Sequence, residues 1–226
     1  MSAGPLDEMA RRIGEIQPKL PAGTSLTIGL VALIAVAFPP TWMFVRYFTV
    51  MAHEGSHAVV GSLWGFKIKG VKLFWKDAAG GTEPDGEGNR VPPLLVGYFG
   101  PSLFGLAAAK LISIGHSIAV LWLTLVLLVV LLAMIKNVFG LLTILIAGVV
   151  VFDFAREGTV AHQTLAAYGI AWLLLLSGVR GVLRRWDGSG DADELASRTN
   201  IVPVTFSKIW LVGAIFAVFL GARLMM

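Results

Sequence analysis

The chain contains no cysteine. That excludes a disulfide framework, a thiolate metal site and a cysteine nucleophile. Charge is also scarce, with 14% Asp, Glu, Lys and Arg, where ordinary soluble domains carry about 25%. Histidine appears only four times, too few for the histidine-rich sites of membrane di-iron oxidases and desaturases. These shortages exclude a soluble globular enzyme, a disordered chain and a nucleic-acid-binding module. What is abundant is apolar: 56% of the 226 residues are hydrophobic and the mean hydropathy is +0.79. The composition therefore predicts an all-α polytopic membrane protein.

Apolar stretches lie near 24–38, 42–64, 93–113, 116–135, 138–155, 162–179 and 204–224. A helix needs about 20 apolar residues to cross a bilayer. The first stretch is short and stops at Pro39-Pro40, so six or seven transmembrane helices are expected. Residues 1–23 form a polar N-terminal segment, in which Leu6, Met9, Ile13 and Ile16 would share one face of an interfacial helix. Residues 24–226 form the membrane domain, interrupted by polar loops at 65–92 and 180–203. In the first loop, apolar residues alternate with Lys67, Lys69 and Lys72, predicting a strand, and Gly80-Gly81 offers a turn for a small β-hairpin. That strand has two readings: an edge that pairs with an extended substrate backbone, or an interfacial hairpin whose lysines reach the headgroups.

Lysine and arginine set the expected orientation. Seven spans would place the N-terminus, both polar loops and the Lys136-Asn137 turn on one side, leaving only Arg46, Lys110, Arg156 and Arg223 on the other. The rich side, with the N-terminus, is then cytoplasmic.

The second apolar stretch contains His53-Glu54-Gly55-Ser56-His57. Residues four apart share a helix face. Two imidazoles so placed can bind one zinc ion, and the intervening glutamate can act as general base toward a water. Ionisable residues inside an apolar span are costly and usually functional, which favours this reading over histidines merely packed between helices. Catalytic zinc normally takes three protein ligands. Span parity puts His116, His162, Asp153 and Glu157 at the wrong end. It leaves Asp77, Glu83, Asp85, Glu87, Asp187, Asp191, Asp193 and Glu194 as candidates for the third.

These segments resemble the site-2 protease family of zinc intramembrane metallopeptidases, in a compact bacterial branch. The resemblance rests on Met51-Ala52-His53-Glu54-Gly55-Ser56-His57-Ala58-Val59-Val60, then Gly97-Tyr98-Phe99-Gly100-Pro101, then Lys136-Asn137-Val138-Phe139-Gly140. It closes with Asp191-Ala192-Asp193-Glu194-Leu195, running to Pro203 and Trp210. It implies a Zn2+-dependent endopeptidase of the bacterial cytoplasmic membrane that cuts a membrane protein or peptide substrate in or near the bilayer. His53 and His57 would be ligands, Glu54 the general base, and Asp191, before Asp193, the third ligand. Asn137 would polarise the scissile carbonyl or cap the helix that follows it. Two positions depart from the family pattern. Phe104 stands where an asparagine usually follows the glycine-proline pair, and no Leu-Asp-Gly follows Asn137. A non-proteolytic membrane scaffold or regulator that keeps the metal site is the alternative function. Gly97, Gly100 and Gly105 would let their helix approach the histidine helix closely.

Overall fold

A computed structural model describes residues 11, 13–75, 79–86 and 88–226. Leu6, Met9, Asp77 and Glu87 lie outside the described residues. Eight helices and one antiparallel hairpin are present among them: α1 (Ala22–Ala37), α2 (Pro39–Leu63), β1 (Lys67–Leu73), β2 (Gly80–Asp85), α3 (Val91–Ser113), α4 (Ser117–Met134), α5 (Val138–Glu157), α6 (Val160–Leu183), α7 (Asp191–Thr199) and α8 (Pro203–Met225). Prolines open α2, α3 and α8, where a missing N–H costs nothing because no intrahelical acceptor awaits it.

Helices α3, α4, α5, α6 and α8 are each long and apolar enough to cross a membrane. The pair α1–α2, bent by 101°, makes a sixth candidate. The first two apolar stretches therefore do not make two independent crossings. Pro39 and Pro40 end α1 and start α2 in a new direction. Trp42, near the start of α2, lies under Arg180 at the end of α6, while Leu63 leads directly into the hairpin. Both ends of α2 thus stay at the hairpin end of the bundle, and the bent pair counts as one candidate span at most.

Helix α6 is the hub. Its Tyr168, Ala171, Trp172 and Leu175 pack with Ala32 of α1, Ala109 and Ile112 of α3, Leu121 of α4 and Ala217 of α8. Small residues at these crossings let the helices close together where lipid would otherwise compete. The outward faces are apolar: Val129, Ile146, Val149, Val212 and Phe216 are exposed. Exposed apolar faces of this kind suit hydrocarbon and not water.

The hairpin is pinned to the bundle. β1 pairs with β2 from Lys67↔Asp85 to Leu73↔Gly80, with a bulge between Ile68 and Gly70. Gly80-Gly81 are strand residues, not the turn expected of them; the chain reverses before them. The lysines pair across the strands, Lys69 with Asp85 at 3.0 Å and Lys72 with Glu83 at 2.6 Å. The other edge of β1 is also occupied. Lys136 donates its backbone N–H to Val71 O at 2.9 Å, and Val71 bridges Ile135. The outer edge of the lysine strand is therefore covered over Val71–Leu73, while β2 has a partner only on its β1 side among the described strands.

The N-terminal segment overturns one expectation. Gln17 is buried; its N–H donates to Gly115 O at 2.7 Å, and its Oε1 accepts from Ile118 N at 3.2 Å. Leu20 N–H donates to the Tyr168 hydroxyl at 3.2 Å. Gly115 lies in the α3–α4 turn, a full span away from the hairpin. Residues 17–20 thus sit at the end opposite the hairpin, not beside it. The cause is that α2 adds no second crossing. Because the native chain has no cysteine, single replacements test this cleanly. Lys19→Cys and Ser113→Cys should react with an impermeant maleimide from one membrane face, and Ser189→Cys from the other. Shared reactivity of Lys19→Cys and Ser189→Cys would contradict this arrangement.

Candidate metal centre

Helical spacing places Trp42, Arg46, Thr49, His53 and His57 on one face of α2, and this face lines a cavity of about 360 Å³. His57 is almost fully buried. Its Nδ1 lies 2.9 Å from the carbonyl oxygen of Pro93. A carbonyl only accepts, so Nδ1 carries the proton and Nε2 presents its lone pair. That lone pair faces His53 Nε2 at 3.0 Å and Asp191 Oδ2 at 3.1 Å. His53 Nε2 is 3.2 Å from the same carboxylate oxygen.

Three atoms that accept protons or bind cations thus form a nearly equilateral triangle, a convergence that needs a shared positive charge. Adjacent ligands of a tetrahedral zinc with bonds of 2.0–2.1 Å stand about 3.3 Å apart. The donor set and its spacing fit such an ion. Among the described residues this is the group of His and carboxylate side chains that could hold a metal.

Asp191 reaches the cavity because of the loop before it. Gly190 adopts φ 81° and ψ −125°, a backbone state that side chains resist, and the chain then enters α7 with Asp191 at its first position. Ala192 and Leu195, on the buried face of α7, pack with Phe206 and Trp210 of α8 and hold the short helix down. Acidic residues in a first helical turn also meet the positive end of the helix dipole. Burial alone would push the Asp191 carboxyl up; positive charge shared with His53 and His57 outweighs it and holds the carboxyl well below the usual carboxylate range.

The α2–α3 contact is tight at two glycines. A Cβ on Gly97 would come within 3 Å of His57 Nε2 and of His53 Cε1. One on Gly100 would meet Ser56 Oγ and the Ala52 carbonyl. Gly105 differs from expectation: it faces Leu175 of α6, not the histidine helix. Tyr98 packs its ring edge-on to His53, with centroids 4.6 Å apart, and is backed by Trp210, whose Nε1 donates to Leu95 O at 2.8 Å.

Glu54 is buried on the same cavity, facing the hairpin. Thr82 Oγ lies 2.7 Å from Glu54 Oε2, and Gly80 leaves no room for a Cβ against the glutamate side chain. Thr82, Tyr98 and the Pro93 carbonyl were not legible as site groups. Thr82 is joined to Glu54 only by tertiary folding, and a backbone carbonyl carries no residue signature.

The remaining candidates stay out of the triangle, although Glu194 lines the same cavity. Asn137 is absent from the cavity wall. Its Oδ1 accepts from Leu73 N at 3.1 Å and its Nδ2 donates to Leu73 O, so both ends of the amide hold the last residue of β1. It makes no side-chain cap for α5 either. Its amide is thus spent on strand backbone, unlike the carbonyl-polarising or capping roles expected. Asp193 is exposed on the outer side of α7. Glu194 pairs with Arg198 at 2.8 Å, Asp187 accepts from Ser189, and Glu83 and Asp85 pair with hairpin lysines. Phe104 lines an apolar cavity on the opposite face of α2, which also takes in Ala52 and Gly55.

Fold and site together define a helical membrane protein with a half-buried His–His–Asp cluster that shares its cavity with a buried glutamate. Comparison with known families agrees: the model of the family described as Peptidase M50B-like matches residues 26–221, most of the chain. The chain belongs to that family, a peptidase family of the site-2 protease kind. No curated protein and no solved structure matches it.

Two substitutions test the supports of the site. Asn137→Ala leaves two backbone groups of Leu73 without partners, at about 1–3 kcal/mol for each group that water cannot reach. Hydrogen exchange of β1 should therefore accelerate while helical content is unchanged. Gly97→Ala should displace His57 and lower metal retention; an unaltered metal content would mean that α3 yields instead.

Proposed function

We propose that the protein is a zinc-dependent intramembrane endopeptidase that hydrolyses a peptide bond of a membrane protein or peptide substrate in or near the bilayer. One observation carries this reading: His53 Nε2, His57 Nε2 and Asp191 Oδ2 converge within 3.0–3.2 Å on the cavity that also holds Glu54. The family membership supports the peptidase class.

Zinc bound there would acidify a water to a pKa of about 7 and polarise the scissile carbonyl. The chain's own residues do the rest. His53, His57 and Asp191 would hold the ion. Pro93 keeps the His57 tautomer that leaves Nε2 free to bind, as partners behind metal ligands generally do. Glu54 takes the proton of the attacking water and delivers it to the leaving amine. The Thr82 hydroxyl orients that carboxylate, and Gly80 lets the strand approach it. Peptide hydrolysis requires an extended backbone. The unpaired edge of β2, beside Glu54, is the segment of this chain suited to receive one.

We place the protein in a bacterial cytoplasmic membrane with the hairpin end facing the cytoplasm. That end carries Lys67, Lys69, Lys72, Arg90, Lys136, Arg180, Arg184, Arg185, Arg198 and Lys208. Residues 17–20 would then face the opposite side.

The test combines metal analysis with cleavage of a transmembrane reporter peptide. Wild type should bind one zinc per chain. Glu54→Gln should keep the zinc and lose roughly 10²–10⁴-fold in rate, the range for removing a general base. Asp191→Ala should release zinc under mild chelation, whereas Asp193→Ala should behave like wild type. Undiminished cleavage by Glu54→Gln would exclude the hydrolytic reading, and zinc loss from Asp193→Ala instead would move the third ligand.

A further inference from the structure

A second constellation lies on the flank of the bundle, outside the metal centre. α1, α6 and α8 enclose a groove of about 830 Å³ that opens outward. Along its length the walls are hydrocarbon, from Leu33 and Val36 of α1, Leu176 of α6 and Ile215 and Phe219 of α8. Arg180 and Arg184, one turn apart near the end of α6, are its charged residues. Like charges at this spacing repel, and among the described residues neither arginine has a carboxylate within ion-pair distance.

Their neighbourhood is short of acceptors. Arg180 lies over the Trp42 ring, its Cζ 4.5 Å from the centroid. That contact uses the ring face but satisfies no N–H. Arg180 Nη1, Trp42 Nε1 and Arg46 Nε are all buried without a hydrogen-bond partner, and Trp42 as a whole is 6% exposed. Buried donors left unpaired are costly, and clustering them with uncompensated cations compounds the cost. Trp42 and Arg46 line the metal-centre cavity, whereas Arg180 lines the groove together with Arg184, and a multi-oxygen anion seated there would supply Arg180 with acceptors and offset both charges.

We propose that this groove binds an anionic phospholipid. Its phosphate sits against Arg180 and Arg184 and its acyl chain lies between α1, α6 and α8. The match is to an amphiphile with one anionic end. The cations stand at one end only, at the C-terminal end of the candidate span α6, and every other wall is apolar. Basic pockets between membrane helices are a recognised form of anionic headgroup site. Arg184 also lines the metal-centre cavity, so the proposed lipid site adjoins it. The proposal stands on the groove and its charges, independently of any hydrolytic activity.

The experiment uses the full chain, purified in detergent and stripped of lipid, with thermal unfolding as readout. Phosphatidylglycerol should raise the melting temperature by roughly 5–10 °C at a hundredfold excess over its dissociation constant. Phosphatidylcholine should give a clearly smaller rise. Arg180→Gln with Arg184→Gln should abolish the difference between the two lipids, and Arg180→Lys should keep it. Val218→Trp fills the groove without touching a charge. It should abolish the phosphatidylglycerol effect and decides the matter if the double variant does not fold. The proposal fails if phosphatidylcholine stabilises equally, or if either the double variant or Val218→Trp keeps the full effect. It fails also if inorganic phosphate alone reproduces the shift, or if an acidic peptide does so and phosphatidylglycerol does not.

Discussion

The hydrogen bond between His57 Nδ1 and the Pro93 carbonyl is the contact on which the site depends. It joins the histidine helix to the start of α3 at 2.9 Å and settles which nitrogen of His57 faces the cavity. It forms only because α2 and α3 touch at glycine. A methyl group on Gly97 or Gly100 would hold the helices apart and leave the imidazole without its carbonyl. Two demands that usually conflict are met at once. The polar ligands are withdrawn from lipid, as their cost there requires, and their lone pairs remain directed into a cavity.

Around that contact the bundle works as a frame. α6 supplies the apolar hub. α7 is too short to span anything, yet it is held on α8 through Leu195 and Trp210 so that Asp191 reaches the histidines. The hairpin closes the third side. Asn137 and Lys136 grip β1 from the α4–α5 turn, and β2 carries Thr82 to Glu54. A side chain that looked chemical in the sequence therefore holds the scaffold, and a threonine that looked ordinary stands beside the Glu54 carboxylate.

The arginines at the end of α6 extend the same economy of charge. In a chain with little charge, those at the hairpin end that lack carboxylate partners are informative, because membrane helices tolerate such residues only with a partner or with access to polar headgroups. The metal centre and the arginine cluster meet at Arg184.

Composition and periodicity were enough to establish a polytopic helical bundle, the positions of its long helices and the pairing of His53 with His57 around Glu54. These properties are local: hydropathy is summed along a span, and residues four apart on a helix must share a face. The choice of Asp191 among several acidic residues on the same side was suggested only by likeness to a family, since a loop's register cannot be computed from its composition. The bend at Pro39-Pro40 was visible as a break, but not as a change of direction that removes one crossing and carries residues 17–20 to the other end. Asn137 and Thr82 exchanged their expected importance for the same reason. What each side chain meets depends on helices and strands far away in the chain, and only the packed structure decides it.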